Sequence, residues 1–304
     1  MTLARRAAKE SEALPLPARN PMSFLIIPFP VVHPVAIDIG PLPFGLGSLP
    51  LRWYALAYIA GLVSAWLYMR FIVARDVFWN EDQPRPSAVG VDDLIVYVAF
   101  GVIIGGRLGH VLIYDPQHFL RHPLEALMLW KGGMAFHGGF VGAALGMALF
   151  ARAEKLPVLT VGDLCAITAP IGLFLGRIAN FIKPELWGRP TDVPWAMVFP
   201  DPAAGSLPRH PSQLYEAGLE GLALGFILWV ALRAGVLKRP GLATGIFCLG
   251  YGLARTFCEF FREPDPDQEA LGNGWTMGMA LSLPMAIVGL AFIGLALRRR
   301  SVAA

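Results

Sequence analysis

Three arginines stand where a charge is costly: Arg107, Arg177 and Arg255 each interrupt an apolar run long enough to cross a membrane. A guanidinium cannot shed its proton in hydrocarbon, so it needs a partner, and an intramembrane ion is by default part of a working site. Its planar fork suits phosphate, to which it makes two parallel charge-assisted bonds. At the edge of a bilayer the available phosphate is a phospholipid head group. His137 interrupts a further apolar run between Phe136 and the pair Gly138-Gly139, which leaves its ring accessible. Imidazole titrates near working pH and is the obvious proton acceptor in such a place.

Spacing sharpens this chemistry. Arg177 and Asn180 are i and i+3 and share one helix face. Tyr251, Arg255, Glu259 and Arg262 follow at i, i+4, i+8 and i+11, so Glu259 can neutralise Arg255 while leaving guanidinium donors for a ligand. Any single arginine could pair with carboxylates and carbonyls for architecture alone; three at one depth with a histidine favour a site. His118 and His122 have i, i+4 spacing but no third ligand in view, so no metal and no cofactor is expected. His33 and His110 carry no distinguishing signal.

The elements that must position these residues are membrane helices. Of 304 residues 55% are apolar and 15% charged, against about 25% charged in soluble domains. Seven runs can span about 30 Å of hydrocarbon: roughly 53–73, 94–114, 134–152, 161–182, 214–232, 242–261 and 277–297. Strand-like alternation is absent, which argues against a barrel. The expected fold is an all-α integral membrane protein, a bundle of about seven transmembrane helices. It forms one catalytic domain over residues 51–300, with a long extracytoplasmic loop, 183–211, between helices 4 and 5. That segment holds seven prolines and reads as a lid. Residues 1–50 form a proline-rich N-terminal tail, disordered or interfacial, with no cleavable signal.

A cytoplasmic C-terminus puts eleven basic residues inside and seven outside, with four more on the tail. This satisfies the positive-inside rule and leaves the N-terminus outside. In that topology Tyr54, Arg107, His137, Arg177, Asn180, Glu185, His210 and Arg255 gather near the outer leaflet. Glycines recur every fourth residue at Gly101-Gly105-Gly109, Gly138-Gly142-Gly146 and Gly172-Gly176, for close helix packing or for a groove that holds a lipid chain. Cys165, Cys248 and Cys258 read as small buried thiols.

The run from Gly176-Arg177-Ile178-Ala179-Asn180-Phe181 through Glu185-Leu186-Trp187-Gly188-Arg189 closely resembles the signature of bacterial prolipoprotein diacylglyceryl transferases. Gly132-Gly133-Met134-Ala135-Phe136-His137-Gly138-Gly139, Arg209-His210-Pro211-Ser212-Gln213-Leu214-Tyr215-Glu216 and Gly250-Tyr251-Gly252 with Arg255, Glu259 and Arg262 match in order. The resemblance covers about 53–284. It departs at Lys183, usually asparagine, at Pro184, commonly glycine, and at Met279, usually glutamine.

It implies transfer of diacylglyceryl from phosphatidylglycerol to the lipobox cysteine thiol of a prolipoprotein, in the bacterial inner membrane and with no nucleic-acid partner. Catalytic roles fall to His137, Arg177 and Arg255. Head-group binding falls to Arg177, Asn180, Arg255, Tyr251 and Gly138. Tyr54, Arg107, Glu185, Gly188, His210 and Glu259 would support them. A secondary transporter of an anionic or phosphorylated solute is the alternative, but no internal repeat accompanies the arginines. All five lysines fall outside the spans, which leaves no Schiff-base candidate for a retinal protein.

Overall fold

The computed structural model describes residues 27–30, 32–33, 35–40, 48–264 and 275–298. Most of the tail and the terminal basic residues Arg299 and Arg300 lie outside that set. Among the described residues the chain is predominantly helical: α1 (Trp53–Val73), α2 (Ala88–Gly109), α3 (Phe136–Ala153), α4 (Val158–Ile182), α5 (Ser212–Arg233), α6 (Leu242–Cys258) and α7 (Met277–Arg298). Among the described residues, five helical runs are long and apolar enough to cross a membrane, namely α1, α2 with its continuation to Tyr114, α4, α5 and α7. The 17-residue α6 falls short by length, and the 18-residue α3 is not among the five.

Several boundaries differ from the sequence reading for local reasons. α2 begins at Ala88 rather than near 94, because Ser87 caps it by accepting from the Gly90 amide at 2.9 Å. The charges that hid this turn are used: Asp92 accepts from Arg70 of α1 at 2.7 Å and from the Trp66 indole at 2.6 Å. α6 stops at Cys258 rather than 261. Its start is held by Asp163 of α4, which accepts from the Gly241 and Thr244 amides at 2.6 and 2.7 Å.

Residues 1–50, expected as a disordered or interfacial tail, include short strands among the described residues. Two short strands, β1 (Ile27–Pro28) and β2 (Val35–Ile39), lie within that segment, and β3 (Leu49–Arg52) runs straight into α1. β2 pairs antiparallel with β3, and β1 pairs in parallel with β4 (Met197–Val198) in the 183–211 segment. Prolines confined to edges and ends are compatible with such short strands.

The glycine repeats resolve into two classes. α2 and α3 meet almost backbone to backbone: a Cβ on Gly105 would lie 2.8 Å from the Gly142 Cα, and one on Gly109 would lie 2.9 Å from the Gly138 Cα. Gly172 and Gly176 of α4 face open space instead. The main apolar core, including Ile72, Leu94, Phe150, Leu164, Leu228, Leu232 and Ala243, fills one end of the bundle. The buried arginine–glutamate groups occupy the opposite end.

Candidate active site

The last turns of α4 carry Arg177 and Asn180 towards the start of α5 and the end of α6. Arg177 donates from Nε and Nη2 to Glu220 Oε2 at 3.2 and 3.0 Å, and its Nη1 lies 3.0 Å from Glu216 Oε2. Glu216 and Glu220 are wholly buried. Glu216 also pairs with Arg255 of α6 and, at 3.5 Å, with Arg262 just beyond it. Arg255 in turn pairs with Glu259, four residues on, as the spacing predicts. Tyr251 lies within electrostatic range of Arg177 and Arg255. Three cations and three carboxylates therefore meet in one buried cluster.

Glu220 sits in a π-helical stretch of α5, Ala217–Ala223. Gly221 in that stretch packs so close to Phe174 of α4 that a Cβ there would lie 2.6 Å from the Phe174 Cβ. The wider π turn re-aims side chains relative to a regular helix and often marks functional sites. Counting only the intramembrane cations missed Glu220. Its signal was as plain as that of Arg177, a lone charge in Ala217-Gly218-Leu219-Glu220-Gly221-Leu222.

A second group lies beside this cluster on α4. Asn180 donates to Glu185 at 2.8 Å, and Lys183 reaches the other carboxylate oxygen at 2.6 Å. Tyr54 of α1 is within hydrogen-bonding reach of Asn180, and its ring centroid lies 5.5 Å from the Lys183 ammonium. Gln213 donates to the Glu185 carbonyl at 2.6 Å and so ties this turn to α5. The departure at Lys183 thus adds a cation that grips a predicted supporting residue.

The 183–211 segment closes the same end. The Gly188 amide donates to the His210 carbonyl at 2.9 Å, and Gly188 bridges to Arg262. A Cβ on Gly188 would sit 2.6 Å from both the His210 Cβ and the Phe261 carbonyl oxygen, so glycine alone fits. Trp195 donates to the Tyr215 hydroxyl at 2.6 Å, and that hydroxyl lies 3.0 Å from His210 Nδ1. The hydroxyl accepts from the indole, and its own proton is available to Nδ1 of a neutral His210 ring. Burial lowers the His210 pKa and favours that form. Trp187 joins Phe29, Phe181, Met197 and Phe199 in a small core of this cap.

Arg107 is organised separately. It is buried and donates to the carbonyls of Ala126 at 2.8 Å, Gly133 at 3.0 Å and Met128 at 3.3 Å, and also to those of Gly132 and Glu125. The loop it gathers is further clamped by Glu125, whose carboxyl is held down to about 2 by bonds from Lys131 and then His118. This loop leads into α3, where half-buried His137 stands in the first turn. Gly138 meets Gly105 and Gly109 of α2, so helix packing alone explains its residue type. The predicted residues thus form a central Arg177–Arg255–Tyr251–Glu259 cluster, a Tyr54–Asn180–Glu185 flank, a Gly188–His210 cap and an Arg107-gathered loop that precedes His137.

The family model described as prolipoprotein diacylglyceryl transferase matches residues 41–295. A protein of Methylocella silvestris named phosphatidylglycerol–prolipoprotein diacylglyceryl transferase is 60% identical over 279 residues, covering 92% of this chain and 99% of its own length. Proteins with the same name from Beijerinckia indica and Rhodopseudomonas palustris are 58% and 56% identical, each over 88% of this chain and over 94% and 91% of their own lengths. These matches run through all seven helices, and the chain belongs to the prolipoprotein diacylglyceryl transferase family.

Proposed function

We propose that this protein is a bacterial inner-membrane enzyme that transfers the diacylglyceryl group of phosphatidylglycerol to the lipobox cysteine of a prolipoprotein. The sulfur attacks the glyceryl carbon bonded to the phosphate oxygen. A carbon–sulfur thioether forms, the carbon–oxygen bond breaks, and its electron pair leaves with glycerol phosphate. The observation that carries the reading is the buried cluster of Arg177 and Arg255 on Glu216, in a chain whose named relatives are transferases of this kind. The transporter alternative draws no support from those relatives.

A free thiol has a pKa of about 8.5 and must lose its proton to attack carbon. His137 takes that proton. Arg177 and Arg255 meet the charge that grows on the departing phosphate, where a low dielectric makes fixed cations effective. Asn180 and Tyr251 orient the head group. The open face at Gly172 and Gly176, next to Arg177, leaves room for an acyl chain. Tyr54, Glu185, Glu259, Gly188, His210 and Arg107 hold these groups in place. All seven helices cross the bilayer, with the C-terminus cytoplasmic and the 183–211 cap over a site in the outer leaflet.

Purified protein given labelled phosphatidylglycerol and a lipobox peptide is expected to yield a diacylglyceryl thioether. Solute uptake into vesicles without that product would overturn the reading. His137→Asn should lose transfer to an ordinary thiol and recover part of it with a more acidic, already ionised thiol. Equal loss with both thiols would remove His137 as the base.

A further inference from the structure

The charge balance around Arg177 carries a consequence for phosphate binding. Arg177, Arg255 and Arg262 face Glu216, Glu220 and Glu259, with no side chain more than 16% exposed. The cluster is neutral as it stands. Adding a phosphodiester anion would leave a net negative charge in a poorly solvated place, which is strongly unfavourable. Moreover, Arg177 donates Nε and Nη2 to Glu220 and forms an ion pair with Glu216 through Nη1. A phosphate gripped by that Nε–Nη2 edge takes the place of Glu220.

The two carboxylates are not equally held. Glu216 is shared by Arg177, Arg255 and Arg262. Among the described residues Glu220 forms an ion pair with Arg177 alone, through Oε2, and its Oε1, like Glu216 Oε2, is buried with no hydrogen-bond partner there. The groups facing it are Arg177 from α4, Glu216 on its own helix, and Tyr251, Cys258 and Arg255 from α6. The remaining cation, Arg255, is held by Glu216 and Glu259 and forms no ion pair with Glu220 among the described residues. Once the phosphate takes Arg177, Glu220 is left as a buried carboxylate without its cation, and such a group neutralises by taking a proton.

We propose that binding of the lipid phosphate at Arg177 is coupled to uptake of one proton by Glu220, which becomes a neutral acid while the head group is held. This rests on the reading of the cluster as the phosphatidylglycerol site. Glu220 is then a positioning residue. It holds the guanidinium aimed at the site when lipid is absent and yields it without leaving a net charge when lipid arrives.

The test is calorimetric titration of the full-length protein in detergent with dihexanoyl phosphatidylglycerol, a phosphodiester that does not itself titrate between about pH 6 and about pH 8. Two buffers of different ionisation enthalpy read the protons taken up. Wild type is expected to take up close to one proton more per lipid than Glu220→Gln, and its affinity to fall about tenfold more steeply per pH unit. Histidines titrating in the same window contribute equally to both proteins, so the difference isolates Glu220. Equal proton uptake with binding intact would overturn the coupling and leave the site reading standing. No binding by folded wild type would overturn both. If Glu220→Gln does not fold, infrared difference spectra of wild type decide: a carbonyl band that appears with lipid and shifts in deuterated water, as the lipid's own ester carbonyls do not, supports the coupling, and its absence overturns it.

Discussion

Arg177 and Glu220 constrain each other's mutants. Arg177→Ala removes the cation but strands a buried carboxylate, at a cost of about 3–5 kcal/mol for a broken buried pair. Lost activity in that variant would therefore confound chemistry with folding. Arg177→Ala combined with Glu220→Gln removes both charges. The pair of changes is expected to restore most of the thermal stability lost by the single variant while transfer stays at background. Glu220→Gln alone provides the baseline for transfer, and near-baseline transfer by the double variant would remove Arg177 from phosphate binding. At this scale the sequence was legible wherever a charge broke an apolar run, which is how Arg107, Arg177 and Arg255 stood out. What spacing could not supply was the pairing across helices. Nothing in the chain order says that Glu216 serves three arginines or that Arg107 spends its donors on five carbonyls.

The helices themselves were readable from apolar length, and their contacts only partly so. The same four-residue glycine spacing stands for tight packing between α2 and α3 and for an open face on α4, and only the fold separates the two. That difference is testable. Gly105→Leu drives a side chain into the Gly138 and Gly142 backbone, and no rotamer escapes a backbone clash. It should cost more than the about 1–3 kcal/mol typical of overpacking and lower the amount of folded protein in the membrane. Gly176→Leu meets open space and should leave thermal stability nearly unchanged. If the open face holds an acyl chain, the same variant should raise the KM for phosphatidylglycerol at least about tenfold, worth about 1.4 kcal/mol. An unchanged KM would send the chain elsewhere. Strand β2 shows a different limit of legibility: the many prolines of residues 1–50 point to a disordered or interfacial tail, whereas Val35–Ile39 pairs with β3.

Across the whole molecule, the apolar core anchors one end of the bundle and the 183–211 cap closes the other, with the ionic cluster between them. The cap joins that cluster through Gly188, where the His210 carbonyl and the Phe261–Arg262 turn converge. Arg262 leads on to Glu216, so a shift at Gly188 reaches the groups around Arg177 through two contacts. Gly188→Ala should preserve helix content by circular dichroism yet lower kcat at least about tenfold, which is about 1.4 kcal/mol of transition-state stabilisation. The cap should also respond to acid. His210 has a lowered pKa in the folded state, so the unfolded chain binds its proton more readily. Its contribution is fully present above its ordinary value of about 6.5 and is lost as pH falls through that value towards the lower, folded one. Hydrogen exchange at the Gly188 and His210 amides should therefore quicken relative to the α4 core as pH drops below about 6.5, after correction for intrinsic rates. His210→Gln, which keeps an acceptor but cannot take the charge, should abolish that acceleration. Acceleration persisting in the variant would locate the acid response in another group of the cap.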